Sequence, residues 1–222
     1  MKSFSQHLES GLVFVPALGI GRYPVPVSQR PYDDNYFHKY QQLADTPMGH
    51  ALTKARVALV ERHHGDGMVL DVGIGAGKFV EARSQTWGYD VNPAGIQWLK
   101  LRGRWENLYD PWLPDDSFPA LTFWDSLEHI DQPELAVAKA RQWVFVSIPI
   151  FAGGDAIMAS HHYRPNEHIW YFTHDGIIRW FNEQGFTCVE HNTIESELGR
   201  SGIGSYAFKR VNDASENTKS LP

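Results

Sequence analysis

The run Asp71-Val72-Gly73-Ile74-Gly75-Ala76-Gly77 constrains this chain more than any other segment. It follows the apolar, β-type stretch Met68–Val72 and leads directly into a helical stretch from Lys78, so it reads as strand, glycine loop, helix. Glycines let a backbone take positive φ and approach a ligand closely, while the helix N-terminus supplies free N–H groups and positive potential. The spacing is G-x-G-x-G, not the G-x-G-x-x-G of a dinucleotide fingerprint, and an acidic residue stands two positions before the first glycine. A carboxylate there repels a pyrophosphate and attracts an ammonium, which favours a ligand with an amino-acid end.

A second acid sharpens the reading. Asp90 ends the next apolar run, Trp87–Val91, where a carboxylate can accept both hydroxyls of a ribose; the helix that follows from Pro93 to about Arg102 has Asn92 as the better cap. Two acids then bracket one nucleoside, and S-adenosylmethionine answers that description. A nicotinamide-dependent oxidoreductase is disfavoured by Asp71 and by the glycine spacing.

The surrounding pattern is α/β. Strands are expected at 105–109, 120–124 (before Asp125), 143–148, 186–192 and 205–210, with helices at 132–140 and 175–184, the latter capped by Thr173. Alternation of this kind predicts a Rossmann-like, doubly wound sheet of about seven strands, mostly parallel with the last antiparallel. Upstream, aromatics at 32, 36, 37 and 40 suit a short helix opening at Asp33 or Asp34, and Thr46-Pro47 opens a second helix that Gly65 stops. Prolines at 16, 24, 26 and 31 mark an N-terminal arm without regular structure, and 149–172 reads as one long loop. The expected organisation is an arm and short helix over 1–45, one domain over 46–210, and a polar, disordered tail over 211–222.

At this point the chain resembles the class I S-adenosylmethionine-dependent methyltransferases over roughly 51–210. VLDVGIGAGKF is similar to their first motif, GYDVNPAGIQWL to the second, LTFWDSLEHIDQP to the fourth, and EHIWYFTHDGIIRWFNEQGF to the segment after strand five in small bacterial and phage-like members. The resemblance implies that Asp71 and Gly73 meet the methionine end, that Gly75 and Gly77 floor the loop, that Asp90 holds the ribose, and that adenine lies near Val91 and Asp110, with Asn107 competing for that place. It also implies an enzyme moving a methyl group to oxygen or nitrogen of an unidentified acceptor. The alternative is a binding or interaction module on the same fold without turnover.

Several chemistries are excluded or weakened. Amine methylation in DNA uses an Asn/Asp-Pro-Pro-aromatic motif where this chain has Asp125-Ser126-Leu127-Glu128, and C5 methylation of cytosine needs a cysteine, whereas the single cysteine, Cys188, falls in a late strand. With a net charge of −6 the chain lacks the bulk signature of a nucleic-acid binder, and no run is long enough for a membrane span. One cysteine and no signal-peptide pattern make cytoplasmic residence the default expectation.

Asp125, Glu128 and His129 follow strand four on the side to which the methyl would point. Two readings stand open: His129 or Glu128 serves as base, or they pin a loop. Trp124, Phe151, Tyr163, Trp170 and Tyr171 are candidates for an acceptor wall, against the plainer reading that they are core. The order Asp125-x-x-Glu128-His129, with His168 later, is also similar to the Glu-x-x-Glu-His plus His arrangement of magnesium- or manganese-dependent RNA 2′-O-methyltransferases. That similarity implies a divalent ion on Asp125, Glu128, His129 and His168; the plainer reading is a hydrogen-bonded pair, and whether metal binds is left open.

Overall fold

A computed structural model describes residues 6–8, 11–24, 32–165 and 167–211. In chain order the elements are β1 Gln6–His7, β2 Val13–Val15, β3 Ile20–Arg22, α1 Asp34–Ala44, α2 Pro47–His64, β4 Val69–Val72, α3 Lys78–Ala82, β5 Thr86–Tyr89, α4 Pro93–Leu101, β6 Phe118–Trp124, α5 Pro133–Val137, β7 Ala140–Pro149, α6 Gly154–Met158, β8 Trp170–Phe172, α7 His174–Glu183, β9 Phe186–Asn192, α8 Ile194–Glu197 and β10 Ile203–Arg210. The helices start where their caps dictate. Asp33 accepts from Tyr36 N at 2.8 Å, Thr46 from Gly49 N at 3.2 Å, Asn92 from Ala94 N at 2.9 Å and Thr173 from Gly176 N at 3.0 Å.

The main sheet has the order β5-β4-β6-β7-β10-β9. β5, β4, β6 and β7 pair in parallel, and β10 runs antiparallel to both β7 and β9. This is the expected Rossmann-like α/β sheet. β4, β6 and β7 are buried nearly throughout, as strands covered on both faces must be. From β4 the chain crosses to β5 on one side and later returns to β6 on the other. The strand order therefore reverses beside β4, which makes the C-terminal ends of β4 and β6 the switch point at whose crevice sheets of this kind bind their ligands.

Three expectations are corrected. The strand expected at 105–109 is reduced to a single parallel bridge, Gly88 with Trp105; Leu108 is fully buried, but the chain turns at Asn107–Asp110 and again at Asp110–Leu113, so the main sheet has six strands. The N-terminal arm is not irregular throughout. Its β1, β2 and β3 form an antiparallel sheet completed by β8, which arrives from the segment expected to be one long loop. That segment also contains α6. The polar tail from Asn212 onward lies outside the described residues. Among the described residues, no helix is long and apolar enough to cross a membrane.

Candidate active site

The crevice is built from the glycine loop upward. Gly73 has φ +79°, and a Cβ there would stand 2.7 Å from Cβ of Ser126, so only glycine lets the loop after β4 lie against the turn after β6. Gly75 has φ +53° with open space where a side chain would project, which leaves a cradle for a ligand against the backbone. Gly77 caps α3 beside Trp98. Ser126 Oγ donates to Val72 O at 2.5 Å, locking the two turns together.

Asp71 is buried at the end of β4. Thr122 Oγ1 donates to its Oδ1 at 2.7 Å, and its Oδ2 has no partner. Burial pushes the carboxyl up to about 7 against the pull of Thr122 and of Arg56. Asp90 is also raised by burial. It accepts from Asn92 N at 2.8 Å, and the N–H groups of Val91, Ile74 and Gly75 also act on it, so it braces the glycine loop. Val91 is largely exposed next to it. Asp110 sits beyond the bridge at Trp105, with Oδ1 accepting from Trp112 N at 2.9 Å, and Asn107 Oδ1 accepts from Tyr109 N at 3.3 Å.

The turn after β6 carries the second half of the site. Asp125 has φ +56°, a left-handed conformation rare outside glycine, and it is held there by two arginines. Arg200 donates to Oδ1 at 2.6 Å and Oδ2 at 2.8 Å, and Arg56 donates to Oδ2 at 3.0 Å. Both arginines also bind Glu195, itself buried on α8. Burial opposes the charge on Asp125, but Arg200 and then Arg56 outweigh it and hold the carboxyl below its ordinary range.

Glu128 lies in a 3-10 turn over Leu127–His129 and is 1% exposed, and neither carboxylate oxygen finds a partner outside the residue itself. Burial, then the nearby charge of Asp125, pushes it up to about 8. His129 Nδ1 lies 2.8 Å from Glu167 O, and since a carbonyl only accepts, Nδ1 carries the proton and Nε2 is left free. Ile169 N donates to Glu128 O at 2.8 Å, which brings His168 beside the turn; its ring meets that of His129 edge-on at 4.7 Å. Burial, then His129, depresses His168 to about 3, so it is a neutral imidazole. Tyr32, before α1, stacks edge-on against Tyr36, and burial, then the charge of Glu167 and of Asp90, pushes its hydroxyl up.

Glu128, His129 and His168 therefore meet, whereas Asp125, expected with them, is turned to the arginines. Of the proposed acceptor wall, Phe151, Tyr163 and Tyr171 cluster together with Leu12 and Phe14, and Tyr171 reaches the His168 ring at 6.0 Å. Trp124 instead packs on Phe79 beneath Arg56, and Trp170 donates from Nε1 to Ile130 O under the guanidinium of Arg22. Arg56, Arg200, Glu195, Thr122 and Tyr32 were not singled out from the sequence. Their separations of 69 and 75 residues from Asp125 and 51 from Asp71 leave no local spacing to find them by.

A doubly wound sheet whose switch point holds a glycine cradle and acids at the ends of two adjacent strands defines a nucleoside-binding α/β enzyme. Residues 37–191 match the methyltransferase domain family, and the chain belongs to it: it is an S-adenosylmethionine-dependent methyltransferase, with that compound as its methyl donor. No curated protein sequence matches it. Among solved structures it is similar to the Burkholderia thailandensis 1,6-didemethyltoxoflavin-N1-methyltransferase, with 14% identity over 94% of this chain and 99% of that one and a TM-score of 0.57. It is also similar to the magnesium protoporphyrin IX methyltransferase of Synechocystis PCC 6803, with 11% identity, 81% and 96% coverage and a TM-score of 0.57. The [4+2]-cyclase SpnF is as similar, with 14% identity, 86% and 99% coverage and a TM-score of 0.60. At such identities the likeness concerns the fold, and the site must be argued from its own residues.

Proposed function

We propose that this enzyme moves the methyl group to an oxygen or nitrogen of an acceptor bound against Glu128, His129 and His168, beside the glycine loop. The observation that carries the reading is the contact of Gly73 with Ser126, which sets the cradle for the donor directly against the turn bearing Glu128 and His129. Displacement at a sulfonium methyl is in-line, so the chain has to hold donor and acceptor in line and accept a proton where the acceptor carries one.

Asp71, with one buried oxygen unpartnered, suits the ammonium of the donor's amino-acid end, and the open side of Gly75 admits its backbone-bound portion. Asp90 holds the ribose, and Val91 lies under the adenine edge. His129 is fixed by Glu167 with Nε2 unprotonated, the state required of a base. An orphaned, buried Glu128 beside it favours turnover over a binding module, because leaving a buried carboxylate without a partner is costly unless a reacting group or ligand meets it.

Calorimetry with S-adenosylhomocysteine tests the donor side. Asp90→Ala should weaken binding by about 1.5 to 3 kcal/mol, the strength usual for hydrogen bonds to a charged group, and unchanged affinity would sink the ribose assignment. Methyl-labelled donor incubated with fractionated extract tests the acceptor side; label confined to the donor and its breakdown products in every fraction would leave the binding-module reading standing.

A further inference from the structure

We propose that Glu128, His129 and His168 form a site for one divalent first-row transition ion, open toward the donor cradle, and that the acceptor atom it serves is a hydroxyl oxygen. This deepens the function proposed above and rests on it. One carboxylate oxygen and one nitrogen from each ring all lie within 4.8 Å of one another. Metal bonds of about 2.1 Å set tetrahedral ligands about 3.4 Å apart, so the three are open by little more than an ångström, within reach of side-chain rotation.

The charge distribution gives an independent reason. Glu128 is buried with both oxygens unpartnered, and the guanidinium groups nearest to it are committed elsewhere. Arg56 and Arg200 are engaged by Asp125 and Glu195, and Arg164 by Glu167 at 3.1 Å. A cation between the carboxylate and the two imidazoles supplies the missing partner. The Nδ1 of His129 is already turned to a backbone carbonyl, the arrangement that orients a ligating imidazole and leaves Nε2 for an ion.

Two imidazoles with one carboxylate suit zinc, manganese, iron or cobalt and are a poor match for calcium or for magnesium, which prefer oxygen. Three protein ligands leave open positions for an acceptor. Asp125 is not a fourth ligand, since its oxygens face the arginines. An ion there lowers the pKa of an acceptor hydroxyl and so takes over the activation otherwise left to His129, whose Nε2 it occupies: the proton passes to solvent, an O–CH3 bond forms, and the S–CH3 bond breaks with its electron pair remaining on sulfur as a thioether.

The protein, stripped with chelator, should be titrated with Co2+, Zn2+, Mn2+ and Mg2+ by calorimetry, with the visible bands of Co2+ as a second readout. One ion per chain, bound at micromolar concentration or tighter, is expected for Co2+ or Zn2+, with Mg2+ weaker. Glu128→Gln and His168→Asn should each lose at least tenfold in affinity and the cobalt bands, while S-adenosylhomocysteine binding stays as in the parent. Mutation of the exposed His161 to Ala should change nothing. Imidazole nitrogen signals of His129 and His168 that shift with Zn2+ in the unaltered protein give the same answer without a variant. No binding below about 1 mM, ions bound equally well by the variants, or unshifted His129 and His168 signals would overturn the site. A protein that binds the homocysteine product but no ion would keep the methyltransferase reading and lose this one.

Discussion

Asp125 and Glu128 leave the same strand three residues apart, and the fold treats them in opposite ways. Asp125 is gripped by Arg56 and Arg200 within a network of two acids and two bases that includes Glu195. Glu128 is more deeply buried and has no partner. A partly buried charge that is paired and hydrogen-bonded is architecture, here clamping a left-handed residue at the exit of β6. A buried carboxylate left alone costs stability and is retained for what it binds or does. Asp125, the first acid of the motif, is thus the one that holds the turn.

The most direct test of this contrast is thermodynamic. Arg200→Ala leaves the buried Glu195 and the partly buried Asp125 with one guanidinium between them, and the loss of those charged hydrogen bonds costs about 1.5 to 3 kcal/mol. Glu128→Gln replaces a carboxyl that burial keeps largely protonated and that has no partner, and should change stability by less than about 1 kcal/mol, or raise it. Urea denaturation of both variants at pH 7.5 measures the two values. A fully stable Arg200→Ala protein that has lost methyl transfer would invert the assignment.

Asp71 extends the comparison to pH. Its folded-state pKa, about 7, lies above the ordinary carboxylate value because burial disfavours the charge. The stability this group contributes is therefore complete below the unfolded value and is lost as pH rises through about 7. Asp71→Asn, which keeps an acceptor for Thr122, should make the ligand-free protein more stable than the parent at pH 8, by up to about 4 kcal/mol, with the difference shrinking toward pH 4. Donor binding should run the other way, tightening in the parent as pH rises through 7, because the carboxylate form meets the ammonium. Thermal melts and calorimetry across that range check both signs, and a pH-independent difference between the proteins would remove Asp71 from the unpaired class.

The glycine loop, the caps at Thr46, Asn92 and Thr173, and the alternation from β4 to β7 were legible because each is local, set by residues within a turn or a strand of one another. The small sheet was not, because β3 finds β8 through pairs such as Gly21 with Tyr171, far apart in sequence, and prolines around 16 and 24 mask short strands. The same holds for the site. Glu128, His129 and His168 could be named from spacing and resemblance, but the removal of Asp125 from that set depends on Arg56 of α2 and Arg200 before β10, which no motif connects to it. The missing third strand was signalled only indirectly, by a segment between 105 and 118 too short and too rich in proline for strand and helix together.

That segment supplies the smallest test. Asp110 was expected beside adenine, and its Oδ1 is already occupied by Trp112 N, an Asx turn that sets the path of an otherwise irregular link. That oxygen is engaged in shaping the link, which leaves only the second oxygen for a ligand. Asp110→Asn keeps that acceptor and should leave both stability and S-adenosylhomocysteine affinity within about 0.5 kcal/mol of the parent. Asp110→Ala should cost about 0.5 to 1 kcal/mol of stability through the lost turn bond, with at most a few-fold change in affinity. A tenfold loss of affinity in Asp110→Asn at unchanged stability would show that the second oxygen meets the adenine, and that one carboxylate here serves the fold and the ligand together.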